Sequence, residues 1–306
     1  MQQVDGGPDV RTADTAAPPL GLIEFLDTAP SSPAATRVRQ RAGVRAARLA
    51  DRLGYRRVWV PEHQGSGSAS TNPLPLVAAI AALTTRIRVG TAVSLVRLRD
   101  PYLTAEDLVT AGLFCGDRLD VGLGRGDVHG PAGTALAHLR KDDAATREAV
   151  RTVMAVLDGG CSWIDPLDAP YQRWLHGAGT ASAVQAGDQG FDYCHGLFLN
   201  PDLDTCADAL ARHRAGNPTG RRAVAVALVA NDDADRARAD AALQRGVRVG
   251  MAAPIADCAG ALTELRAAAG VDEVVVAELS RAPADHLAAL AGLAAGVGAA
   301  AVEAVA

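Results

Sequence analysis

The chain has 306 residues, 49% hydrophobic and 21% charged, with a formal net charge of 30 − 35 = −5. That balance excludes the disordered class and lacks the basic excess expected of a nucleic-acid binder. At ~150 residues per domain the length allows two domains, but an α/β barrel reaches ~250 residues or more as one. Residues 1–19 are polar and acidic with Pro and Gly, lack the basic start and apolar run of a signal peptide, and read as a disordered leader. The five cysteines are odd in number and form no C-x-x-C pair, which points to a reducing cytoplasm. The most apolar stretch, 287–302, is Ala- and Gly-rich and shorter than the ~20 residues of a membrane span, so it reads as a buried terminal helix.

Short apolar, β-branched runs alternate with segments of helical period, the pattern of βαβ units and a parallel sheet. The predicted strands are 22–26, 57–60, 87–93, 119–123, 173–176, 196–199, 223–229 and 273–278. Between the first two, residues 35–53 place Val38, Ala42, Ala46, Leu49, Ala50 and Leu53 on one stripe, a helix ended by Gly54. Further helices are predicted over 73–84, 101–115, 143–157, 182–190, 202–214, 232–245 and 284–293, several with Pro or Asp in the first turn. Eight strand–helix pairs are the count of a (β/α)8 TIM barrel over 20–306, of the α/β class, with its site on the loops after the strands. An open doubly wound sheet is the other arrangement that fits.

Glu62 and His63 follow the second strand beside a loop of small residues. Histidine is the side chain whose charge changes near neutral pH, so a general acid/base is the functional reading and a surface loop residue the bland one. After the fourth strand, Gly122, Gly124 and Gly126 would let a ligand approach the backbone, and Arg125 would fork onto a phosphate. A plain turn is the alternative, because the spacing is not G-x-G-x-x-G. Since Lys141 is the only lysine, 30 − 1 = 29 of the basic residues are arginine, and a lone arginine says little. His138, His213 and His286 read as solvated helix positions, whereas His176 and His195 near strand ends are able to face the site. No H-E-x-x-H or other metal spacing and no G-x-S-x-G elbow is present, so neither a metal site nor an α/β-type serine hydrolase is expected.

Taken in order, Glu62-His63, Thr71-Asn72-Pro73, 84–91, Pro101 with Ala105-Glu106, and 116–126 resemble the luciferase-like flavin monooxygenase family. Weaker resemblance extends over roughly residues 20 to 295. The resemblance implies a barrel that binds reduced FMN, or in some branches F420, at the strand ends. Members using FMN take it from a separate flavin reductase and combine it with O2 to oxidise a small organic substrate. By position, His63 matches the catalytic histidine, with Glu62 beside it. Arg125, flanked by Gly124 and Gly126, matches the flavin-phosphate arginine. Thr91 and Ala92 match the strand tip under the flavin ring, often beside a non-prolyl cis peptide, and Gly179 and Thr180 fall at the phosphate turn. Asp127, His129 and His176 are the substrate-side candidates. A homodimer through the second and third helices is also implied, with Leu76, Val77, Ile80, Ala81 and Leu83 as a packing surface that would equally cover the barrel.

Three departures qualify the resemblance. Ala178-Gly179 stands where many members carry hydroxyl residues, Gln64 stands where a second histidine is frequent, and the link 159–172 and the region after Asn231 are short. Backbone amides at the start of the helix from Ser182 remain able to hold an anion. Shortened insertions imply an open site and keep a non-catalytic flavin-binding or partner subunit as the alternative to an enzyme. The habits of the family it resembles, together with an Arg- and Ala-heavy composition typical of high-GC genomes, imply a tailoring step in secondary metabolism. Trp59 and Trp163 are the candidates for an aromatic platform.

Overall fold

The computed structural model describes residues 19–26, 32–65, 67–126, 128–244 and 246–303. Apart from Pro19, the leader expected over 1–19 lies outside these residues, and so does Asp127. Ten parallel strands are present: β1 Leu20–Ile23, β2 Arg57–Val60, β3 Arg88–Thr91, β4 Ser94–Leu95, β5 Leu119–Gly124, β6 Gln172–Gly177, β7 Asp192–Gly196, β8 Arg222–Ala230, β9 Val249–Ala253 and β10 Glu273–Glu278. Eight of them close a barrel in the order β1-β2-β3-β5-β6-β7-β8-β10, because β10 pairs with both β8 and β1. The open doubly wound sheet is thereby excluded.

The helices are α1 Pro33–Leu53, α2 Pro73–Ala81, α3 Pro101–Cys115, α4 Gly130–Ala135, α5 Asp143–Leu157, α6 Thr180–Asp188, α7 Leu203–Gly216, α8 Ala234–Ala242, α9 Ile255–Ala269 and α10 Pro283–Glu303. Their starts follow from side-chain caps. Ser32, Asp100, Asp142, Asp202 and Asp233 each accept an otherwise orphaned N–H of the first turn, a contribution of about 1 kcal/mol apiece. Asp51 near the end of α1 does a related job across space. It accepts N–H bonds from Thr85, Arg86 and Ile87 at 3.1, 2.9 and 2.8 Å and so fixes the entry to β3. Burial pushes its carboxyl up, but those three donors outweigh burial and hold it below the usual range.

Strand alternation divides the core in two. Val58, Val60, Val89, Val121 and Leu123 point outward under the helices, while Trp59, Trp174, Cys194, Ala225, Val275 and Ala277 point into the barrel. Below the tryptophans the barrel is plugged by charge. Arg57 Nη1 lies 2.5 Å from Asp120 Oδ2 and its Nε 2.5 Å from Glu273 Oε1, all three being buried. Arg88 Nε reaches the other Asp120 oxygen at 2.6 Å, and Trp59 Nε1 donates to Asp120 at 2.9 Å. Two guanidinium and two carboxylate groups thus balance, and the Arg57 cation also stacks 4.5 Å from the Trp174 ring centroid.

Several sequence expectations are corrected. The sixth barrel strand is Asp192–Gly196, not 196–199. Its polar positions Asp192 and His195 concealed it, whereas 197–199 run off the sheet into a turn closed by Leu199 N–H to Gly196 O. Strand β9 and helix α9 were not foreseen, since their Ala- and Gly-rich sequence offers little periodic contrast. β9 pairs with the C-terminal end of β8, where Ala227 faces Ala277 on one side and Val249 on the other. Helix α6 starts at Thr180, two residues before the expected Ser182. Val38 is 57% exposed despite its place in the stripe, because the first turns of α1 overhang the barrel mouth. His213 and His286 are buried rather than solvated. His213 Nε2 meets Phe191 O at 2.8 Å and its ring stacks on Tyr193 at 5.7 Å, while His286 is held between two carboxylates. Trp163 is exposed on the outside, against Tyr102, and Trp59 is buried within the barrel, so neither is among the residues lining the cleft.

Candidate active site

A cleft of about 1980 Å³ opens at the C-terminal ends of the barrel strands. It is roughly twice the upper end of the range for a drug-sized ligand, so it has room for a cofactor and a second molecule together. His63, Ala92, Arg125, His176, Gly179 and Thr180 all line it, drawn from the ends of four different strands.

His63 is half-buried, its ring 5.2 Å from that of Phe25 and its backbone N–H directed to Ser70 O at 3.3 Å. Phe25 in turn meets Phe198 edge-on at 5.7 Å, so an aromatic pair that the sequence reading missed backs the histidine. Glu62 is buried at the cleft wall and both its oxygens are engaged. Oε2 accepts from Leu95 N–H at 3.0 Å and Arg99 Nε at 2.8 Å, and Oε1 accepts from Gln64 Nε2 at 2.8 Å. Gln64, noted for replacing a histidine, therefore locks Glu62, and Glu62 positions the segment that follows β3.

Thr91 is fully buried and donates its hydroxyl to Gly122 O at 2.6 Å, which makes it part of the barrel wall beneath the tip. Ala92 lines the cleft, and the Ala92–Val93 peptide bond is cis. Gly124 and Gly126 line the neighbouring loop; Gly126 has φ +58°, and a Cβ there would fall 2.2 Å from the Leu95 side chain, so only glycine fits. Arg125 is 65% exposed and stands 3.7 Å from Asp143, a loose pair that leaves the guanidinium available. Across the mouth, Gly179 is the N-cap of α6 and supplies no side-chain acceptor, and a Cβ there would meet nothing within 4 Å. The first N–H groups of α6 are therefore open to an anion despite the absence of hydroxyls at 178 and 179. His129 caps α4 and is not among the residues lining the cleft.

A second cluster went unnoticed in the sequence. His286 on α10 has Nε2 3.1 Å from Glu24 Oε2 and Nδ1 2.5 Å from Glu278 Oε2, all three buried. Burial pushes the imidazole down, but the two carboxylates overcome it and raise it to about 10, so the group is a cation. Glu24 just beyond β1 and Glu278 at the end of β10 occupy strand tips, the positional signal that could have found them. Among the described residues no group of three or more His, Cys, Asp or Glu side chains is arranged to hold a metal ion.

The family model for luciferase-like monooxygenases matches residues 23–304. The chain belongs to this family, in keeping with the resemblance drawn from its motifs. Relatives include YwcH of Bacillus subtilis, an uncharacterised protein 31% identical over 239 residues, 71% of this chain and 70% of that one. YceB of the same organism is 32% identical over 197 residues, and a luciferase-like monooxygenase of Escherichia coli K12 is 29% identical over 170. The aligned regions cover 58% and 49% of those two relatives. Solved structures with this fold include apo-MsnO8, TM-score 0.78 at 24% identity, which covers 90% of this chain and 97% of that one. The oxygenating constituent of 3,6-diketocamphane monooxygenase from Pseudomonas putida in complex with FMN gives 0.73 at 16%, with coverage of 92% and 98%. These likenesses bear out the single luciferase-like TIM barrel, and the family's monooxygenases support an oxidoreductase. No helix among the described residues is long and apolar enough to cross a membrane.

Proposed function

We propose that this protein is a flavin-dependent monooxygenase that takes reduced FMN from a separate flavin reductase and uses O2 to oxidise a small organic substrate. The observation that carries the reading is the convergence on one cleft of His63, the Ala92–Val93 tip, Arg125 and the uncapped start of α6. These residues fit a planar cofactor with a phosphate tail. The α6 amides and Arg125 would hold the phosphate, Ala92 would support the ring, and Gly124 would let it approach the backbone. When bound, the cofactor supplies the electrons and activates O2. The protein's part is to orient the two ligands, with His63 exchanging a proton at the substrate. Glu62 serves as a positioning residue, its oxygens already committed.

The five cysteines are free, which agrees with a cytoplasmic setting, and a tailoring step in secondary metabolism is the role proposed for it. The proposed assembly is a homodimer through α2 and α3, since Leu83 beyond α2 and Leu103, Leu113 and Phe114 on α3 are exposed apolar side chains. Titration with oxidised FMN, photoreduced FMN and F420, followed by fluorescence and calorimetry, tests the cofactor. Micromolar binding of reduced FMN that weakens at least tenfold in Arg125→Ala, ~1.4 kcal/mol, supports the assignment. Preference for F420 would move the protein to the deazaflavin branch, and failure to bind either would leave a non-catalytic barrel.

A further inference from the structure

His176 is a polar side chain of the cleft that the proposed chemistry leaves unused. It points inward from β6, beside Cys194 in the ladder with β7. Its ring stands edge-on to Trp59 at 4.6 Å and 6.4 Å from Trp174. It rests over Gly122, where a Cβ would lie 3.3 Å from His176 Nε2 and 1.7 Å from Thr91 O, so the glycine makes the room that the imidazole fills. Among the described residues the imidazole makes no hydrogen bond, and its Nε2 is sealed from solvent without a partner. A buried polar group left unpaired costs about 1–3 kcal/mol, and native proteins keep such groups rarely and for a reason.

We infer that His176 is a ligand-reading residue: with Nε2 turned into the wall over Gly122, Nδ1, which is not among the sealed atoms, hydrogen-bonds the uncharged polar edge of a planar ring lying on the cleft floor. The inference rests on the cleft being a ring-binding site, and on the flavin reading for only one of two possible sources of that ring. An uncharged partner follows from the surroundings. Burial and the nearby Arg57 cation push the imidazole down to about 3, against a weaker opposite pull from Asp120, so it stays neutral and offers one donor and one acceptor nitrogen. A carboxylate or phosphate would gain charge pairing only from an imidazolium, which that environment opposes. A carbonyl, ring nitrogen or hydroxyl needs none. A flat ring suits the lining, where Gly124, Gly196 and Ala225 of the same cleft carry no side chain beyond Cβ.

The ring is either the cofactor's or the substrate's, and the test separates them. Wild type, His176→Leu and His176→Gln are titrated with FMN and with the pair 1-naphthol and naphthalene, which differ by one hydroxyl. The His176 ring nitrogens are followed by 15N NMR in the wild type. A cofactor edge predicts FMN binding weakened about tenfold in His176→Leu and partly restored in His176→Gln. A substrate edge predicts unchanged FMN affinity and loss of the preference for 1-naphthol over naphthalene. In either case the His176 nitrogen signals move with the effective probe. Should FMN fail to bind the wild type while 1-naphthol still moves those signals, the flavin reading fails and this one stands. Unmoved nitrogen signals with every probe overturn the inference, even if His176→Leu proves unstable. So does a His176→Leu variant that melts like the wild type and binds all three probes as the wild type does.

Discussion

His286 Nδ1 stands 2.5 Å from Glu278 Oε2 while its other nitrogen reaches Glu24, so one imidazole joins the ends of the first and last barrel strands to the final helix. The link closes the barrel at the seam between β1 and β10. Glu278 carries further load, accepting from Ser280 Oγ at 2.7 Å and from Ala230 N–H at 3.3 Å. The cluster is thus a structural clamp directly beside the cleft.

Stability should follow the titration of this clamp. His286 is raised from 6.5 to about 10, so its contribution is full below about pH 6.5 and disappears as the pH rises through 10. Glu24 is lowered from 4.5, since His286 outweighs its burial, so its contribution is full above about pH 4.5 and is lost on acidification. The clamp is strongest between those limits. Melting curves should therefore show stability declining steadily from pH 7 to 10. His286→Ala should remove about 3–5 kcal/mol at pH 6, as expected when buried carboxylates lose their partner, and should flatten the alkaline decline. An unaltered slope in that variant would sink the assignment.

The floor plug makes a different prediction. Asp120 accepts from Arg57, Arg88 and Trp59 with no exposure to solvent. Asp120→Ala leaves the buried Arg57 with Glu273 as its ion-pair partner and the Gln172 amide oxygen as a neutral acceptor and should cost about 3–5 kcal/mol, whereas Asp120→Asn, which keeps the shape and the acceptor oxygen, should cost less. Urea unfolding of the two variants ranks them. Equal losses would mean that charge is not what the plug contributes.

The sequence order exposed the outward-facing logic of the barrel better than its interior. The cleft positions of His63 and Arg125 were legible because each follows a strand, the first carrying the β-branched Val58 and Val60, whereas Gly179 and Thr180 were reached through the family resemblance. The interior role of Arg57, Asp120 and Glu273 was not legible, since a charged residue in the first two positions of a predicted strand reads as solvent-facing unless the alternation is carried through it. His286 and His213 were misplaced for a related reason. In Ala-rich helices such as α10 no polar face contrasts with a buried one, so periodicity cannot say which side a histidine takes. Burial of those two histidines depends on partners from distant strands, Glu24 and Glu278 for one and the Phe191 carbonyl for the other.

The apolar outer side of α3 predicts self-association. Leu113 is 70% and Phe114 54% exposed, whereas Val77, Ile80 and Ala81 of α2, read in the sequence as a packing surface, are buried against the barrel. The contact should therefore be centred on α3 and on Leu83. Leu113→Asp combined with Phe114→Asp should leave the fold intact and convert a dimer to a monomer in analytical ultracentrifugation. A wild type that sediments as a monomer at tens of micromolar would reject the proposed assembly.

The proposed chemistry assigns proton transfer to His63 rather than to the neighbouring Glu62. Both Glu62 oxygens are taken by Leu95, Arg99 and Gln64, so protonating the carboxylate would break the contacts that hold the segment after β3. His63 lines the cleft with its ring beside that of Phe25. His63→Ala should lower kcat by roughly 10²–10⁴ with FMN affinity within about twofold of the wild type. Glu62→Gln, which weakens the Arg99 pair, should disturb KM and thermal stability more than the chemical step. Stopped-flow turnover with a reactive substrate separates the two, and a His63→Ala variant with full kcat would transfer the proton to another group or to water.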